Sequence, residues 1–69
     1  MIIDRIENNF SYHAPKDGQA ERYELLRAKA KELAYMIEEL TPSGREKNIA
    51  MAYLETAVFW ANAAIARNE

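Results

Sequence analysis

Between Ile49 and Ala66 only Glu55, Thr56 and Asn62 are not apolar, and this run constrains the chain more than any other part of it. At about 100° per residue it makes an unusually wide apolar helix. Ala50, Leu54, Ala57, Val58, Ala61 and Ile65 form one face, and Ile49, Tyr53, Trp60 and Ala63 form a second face beside it. Together the two faces span roughly 220° of the circumference, whereas packing on one partner helix needs a stripe of only about 100°. Phe59 falls on the other side, near Glu55 and Asn62. A membrane span is the first alternative for such a run. Much of it is alanine, however, and Glu55 and Asn62 interrupt it, so it reads as a helix covered by protein. One other helix of this chain cannot cover it all. The surplus must meet further copies, the N-terminal segment or a ligand, because an exposed patch of this width invites aggregation.

The remainder of the chain offers little other support. With 69 residues it is at most one small domain, residues 1–69. A chain of that size buries only about 60% of its unfolded surface. Disulfides, metals or oligomerisation usually compensate. The absence of Cys excludes disulfides and thiolate zinc sites, and a single His excludes a histidine-rich metal site within one chain, which leaves oligomerisation and no expected cofactor. Nine basic and eleven acidic residues give a net charge of −2. That balance argues against a DNA or RNA duplex as partner, while a small compact anion needs only a few local cations. Met1-Ile2-Ile3-Asp4-Arg5 lacks the basic segment followed by an apolar core that a signal peptide requires.

Pro15, Gly18 and Pro42 punctuate the chain. Residues 2–9 form a short helix with Ile2, Ile3 and Ile6 on one side, and residues 10–18 read as a loop, closed by the turn signal Asp17-Gly18. Residues 19–40 form a long helix in which Leu26, Ala30, Leu33, Ile37 and Leu40 recur at spacings of three and four. Thr41-Pro42-Ser43-Gly44 breaks it, and the Ser43–Glu46 spacing of a capping box predicts a further helix over residues 44–67. So short a connection makes the two long helices antiparallel. The expected fold is all-α: a two-helix hairpin with a short N-terminal helix, assembling into a compact homo-oligomer.

Catalytic patterns are poor. Glu38 and Glu39 are adjacent, so on a helix they diverge by about 100° and do not cluster as metal ligands. His13 has no Ser or Cys nucleophile in a matching arrangement, and two glycines make no phosphate-binding loop. The chain therefore reads as no enzyme, and a metal-dependent phosphodiesterase is the least supported alternative. Binding patterns are better. Phe10, Tyr12 and His13 sit in the loop before the first long helix; an aromatic there either stacks on a base, for ~1–3 kcal/mol, or anchors the N-terminal segment onto the hairpin. Lys16, Arg22, Arg27, Lys29 and Lys31 outnumber Asp17, Glu21 and Glu24, a local cationic excess. Arg27, read as unpaired, suits a phosphate and lies about 12 Å along the helix from Gln19. Either the loop folds back over that distance or an adjacent copy supplies the second element. Without such a ligand, the same features make an ordinary solvated helix face.

Three stretches resemble a known family. Phe10-Ser11-Tyr12-His13-Ala14-Pro15-Lys16-Asp17-Gly18-Gln19 is similar to the Phe-x-Tyr-His/Asn-x-Pro segment of the phage-encoded anti-CBASS hairpin proteins. Arg45-Glu46-Lys47 and Trp60-Ala61-Asn62-Ala63-Ala64-Ile65-Ala66-Arg67-Asn68-Glu69 resemble that family's second helix. The same hairpin recurs in anti-Thoeris sponges. The resemblance covers residues 5–69, departing at Gly44, where the family often has Ser. It implies a homohexamer in the cytoplasm of an infected bacterial host that sequesters cyclic oligonucleotide messengers uncleaved and so blocks CBASS effector activation. The implied ligands are cyclic dinucleotides such as cGAMP and, in some members, cyclic trinucleotides. It implies that Tyr12 stacks on a base and that Arg27, often Lys in the family, meets a phosphate fifteen residues later. The resemblance further implies that Arg67 matches an Arg at the trinucleotide site. Phe10, His13 and Lys29 complete the candidate ligand-binding set. The competing account is a structural or protein-binding helical-hairpin module, in which Tyr12 and Arg27 are incidental.

Overall fold

The structure, a computed structural model, describes residues 2–69. Three helices follow in order: α1 (Ile2–Asn9), α2 (Gln19–Leu40) and α3 (Arg45–Asn68), with no strand among the described residues. Gly18, at φ 82°, turns the chain into α2 in the left-handed region that favours glycine. The turn is closed from both sides: the Gln19 N–H donates to the Lys16 carbonyl at 3.0 Å, and the Lys16 N–H donates to Gln19 Oε1 at 2.9 Å.

The start of α3 departs from the sequence expectation. Its N-cap is Gly44, with no side-chain capping bond, so Ser43 and Glu46 do not form a capping box. Lys47 tightens the hairpin turn instead. Its ammonium donates to the main-chain oxygens of Glu38 (2.8 Å) and Thr41 (3.1 Å) and lies 3.2 Å from the Glu38 carboxylate. A cation at the carbonyl-rich end of α2 also complements that helix's dipole.

The hairpin seam is narrow. Tyr23, Leu26, Ala30, Ala34 and Ile37 of α2 are half-buried, as are Lys47, Met51, Leu54, Val58, Ala61 and Ile65 of α3. Both sets alternate at spacings of three and four, as two antiparallel helices require. Leu33 and Leu40, expected on the seam, are 45% and 73% exposed. The stripe rotates between Ala30 and Ile37, where Ala34 takes the seam position and Leu33 moves to its edge.

No apolar residue among those described is fully buried; Gln19, at 3% exposure, is the only buried residue. Ile2, Ile3 and Ile6 of α1 and Tyr53, Phe59 and Trp60 of α3 are all at least half exposed. The 24-residue helix α3 is long and apolar enough to cross a membrane by length and composition. The chain measures 44 × 27 × 14 Å with a radius of gyration of 15.3 Å, where a compact chain of this length has about 11 Å. It exposes 5801 Å², against roughly 4,400 Å² for a globular protein of its mass. A single copy is thus an open hairpin with many of its large apolar side chains at least half exposed.

Candidate functional site

Two features stand out on this frame: a groove beside the seam and an aromatic loop at its open end. The groove, of about 430 Å³, is lined by Arg27, Ala30, Lys31 and Ala34 of α2 and by Leu54, Glu55, Val58, Phe59 and Asn62 of α3. Helical spacing explains the lining. Arg27 and Lys31 are one turn apart on α2, while Glu55, Phe59 and Asn62 form one row on α3. The result is an apolar floor with an aromatic edge, two cations, the Glu55 carboxylate and an amide. Asn62 Oδ1 is buried, and among the described residues it has no hydrogen-bond donor. Buried acceptors are normally satisfied, so this one is ready for a donor from outside the chain.

Arg27 is not the unpaired cation that its sequence position suggested: its guanidinium bonds the Glu24 carboxylate one turn away. Both side chains are well exposed, and such a pair opens at little cost to an incoming anion. Lys29 lies elsewhere. It pairs with Glu32 at 3.4 Å and lines a separate groove with Leu26, Leu33 and Ala57, across the seam from Arg27. Lys31 is the cation that shares Arg27's groove. Phe59 and Asn62 were missed as groove residues because they lie outside the wide apolar arc. Their signal was the row Glu55-Phe59-Asn62 on the face opposite that arc.

In the loop, Phe10 and Tyr12 are each 87% exposed, so neither anchors the N-terminal segment onto the hairpin. His13 does hold the loop: its Nε2 is 2.7 Å from the Asn8 carbonyl, to which it donates as the Nε2–H tautomer. Tyr12 is not among the residues lining the Arg27 groove, so one copy of the chain does not unite the two. Arg67 sits with its guanidinium 5.7 Å from the Trp60 ring centroid, a cation–π arrangement, while its carbonyl accepts from Asn8 Nδ2 at 3.0 Å.

At the end of α3, the Glu69 carboxylate accepts both terminal nitrogens of Arg22, one at 2.7 Å, and the Gln19 amide at 3.1 Å. These bonds hold its carboxyl down at about 2, with Arg22 the largest cause and Gln19 next. The same partnership raises the Arg22 guanidinium further above its already high value. Among the described residues no group of three or more His, Asp or Glu side chains is placed to hold a metal ion.

The class of protein is thus an all-helical hairpin with an exposed aromatic loop at one end and a groove carrying Arg27, Lys31 and Glu55 along its side. The model of the Acb2/Tad1 hairpin domain matches residues 1–66. The chain belongs to that family, the anti-CBASS and anti-Thoeris sponges. No curated protein and no solved structure matches it.

Proposed function

We propose that this protein assembles into a homohexamer that binds cyclic oligonucleotide messengers and holds them uncleaved, withholding them from a CBASS effector inside an infected bacterium. The observation that carries this reading is the family match over nearly the whole chain. The sponge domain is non-catalytic in general, and sequestration asks only for affinity.

The geometry supports the ligand class. A cyclic dinucleotide is nearly two-fold symmetric, with two bases and two phosphates. A two-fold pairing of chains presents Tyr12 and Arg27 twice, one set to each half of the ligand. Because Tyr12 lies outside its own chain's Arg27 groove, the pairing joins Tyr12 of one copy to Arg27 and Lys31 of another. Tyr12 stacks on a base, Arg27 meets a phosphate, and Phe59 supplies an apolar edge. Phe10 and His13 shape the loop around Tyr12. Lys29 lies on the groove across the seam, and Arg67, beside Trp60 at the end of α3, serves cyclic trinucleotides.

The same assembly covers the apolar surface that a single copy leaves open. Its test is equilibrium dialysis against cyclic GMP–AMP and against the linear dinucleotide. Retention of the cyclic compound in preference to the linear one is expected; retention of neither leaves only a structural hairpin module.

A further inference from the structure

The C-terminal turn of α3 reaches both ends of the loop that carries the exposed aromatics. On the α1 side, Asn8 Nδ2 donates to the Arg67 carbonyl at 3.0 Å, and His13 closes onto the Asn8 carbonyl at 2.7 Å. On the α2 side, Gln19 Nε2 and the Arg22 guanidinium grip the Glu69 carboxylate. The Lys16 ammonium donates to the Glu69 main-chain oxygen. Gln19 also receives the Lys16 N–H, so a single amide links the loop's last turn to the end of α3. It is the one buried residue described, and the described apolar side chains are all at least partly exposed. Between these ties stand Phe10 and Tyr12, each 87% exposed and with little packing to fix them.

We infer that Gln19, Arg22 and Glu69 form a clasp that sets the position of the Phe10–Tyr12 loop for ligand, so that they are positioning residues for the messenger-binding site. This rests on the function proposed above. The physical reason is preorganisation. A loop tied at both ends has fewer conformations to lose when an aromatic stacks on a base, and the ligand does not bear that ordering cost. An isolated surface ion pair does little, but Arg22 meets Glu69 with two nitrogens and the network extends through a buried amide.

The test uses Arg22→Glu, Glu69→Arg and the double charge swap, each in the wild-type and Tyr12→Ala backgrounds. Affinity for cyclic GMP–AMP, assembly mass and amide hydrogen exchange are measured for each. Each single change should weaken binding on the order of tenfold. It should also speed exchange of the amides in residues 10–18 while leaving assembly mass unchanged. The double swap should restore both properties. In the Tyr12→Ala background the clasp changes should cost no further affinity, because what they position is gone. Wild-type affinity in the single variants would overturn the inference, as would losses that add fully to that of Tyr12→Ala. If the wild-type protein binds no cyclic GMP–AMP, the proposed function fails, and the exchange data then decide the clasp separately. Unchanged exchange over residues 10–18 in both single variants would defeat it.

Discussion

At the scale of single residues, the site divides into groups that hold the chain and groups left free for a partner. Tyr12 is of the second kind, at 87% exposure. Tyr12→Ala should therefore weaken cyclic dinucleotide binding by ~1–3 kcal/mol per stacked base, with assembly and thermal stability unchanged; titration calorimetry beside light scattering checks both. Arg27 gives a charge-dependent prediction. On the proposed reading its guanidinium exchanges an exposed Glu24 for phosphate, so Arg27→Ala should lose affinity and flatten the salt dependence of binding. Arg27→Lys should keep much of the affinity, since a point charge still attracts phosphate. Titrations at two salt concentrations separate the variants. Equal affinity for wild type and Arg27→Ala would move the role to Lys31, the other cation in the groove.

Sequence legibility follows the same division. Pro15 and Pro42 act through backbone restriction and Gly18 through backbone freedom, and all three mark the breaks without tertiary information. Ser43 and Glu46 have the spacing of a cap, yet Gly44 caps α3 and Lys47 satisfies the carbonyls across the turn. The helix starts one residue later than that spacing implies, on a glycine with no side chain to accept a bond, and spacing alone does not fix the cap position to one residue. Arg27 looked unpaired because an i, i+3 partner is only one of several rotamer choices for Glu24.

At the scale of elements, the hairpin is set by two apolar periodicities joined by a short break, and these are visible in the chain. The rotation that exposes Leu33 and seats Ala34 is not, since both residues are apolar and only the partner helix chooses between them. Nor is the tie between α3 and the start of α2, which joins residues about fifty positions apart. That tie has a pH signature. The folded-state carboxyl of Glu69 is held at about 2 by Arg22 and Gln19, with Lys16 adding attraction from the loop. A depressed carboxylate contributes stability fully above its unfolded value, near 4.3, and loses it as pH falls from there toward 2. Melting wild type and Glu69→Gln between pH 6 and pH 2.5 should show a gap that narrows with acid. The exposed setting keeps the gap small and makes it shrink with added salt. A gap that stays constant across that range would contradict the ionic role of Glu69.

At the scale of the whole molecule, the single chain is too open to be the working unit. Its 5801 Å² of surface and uncovered Ile2, Ile3, Tyr53 and Trp60 call for neighbours. The wide apolar arc of α3 announced this in the sequence, although the number of copies is written in interface geometry that one chain does not carry. Two alanines in that arc separate hairpin from assembly. Ala61 is half-buried and lines a groove with Leu26 and Leu33, so a charge there would disturb the hairpin itself. Ala64 is exposed, and Ala64→Glu should yield smaller species by light scattering while helicity remains. A wild-type chain that is monomeric at micromolar concentration would remove the assembly claim. The central claim is that the messenger is held and returned intact. Incubating the protein with cyclic GMP–AMP, removing free ligand, denaturing by heat and analysing the supernatant by mass spectrometry tests it directly. Recovery of unaltered cyclic GMP–AMP in proportion to protein is the predicted result, and either linear cleavage products or no retained ligand would contradict it.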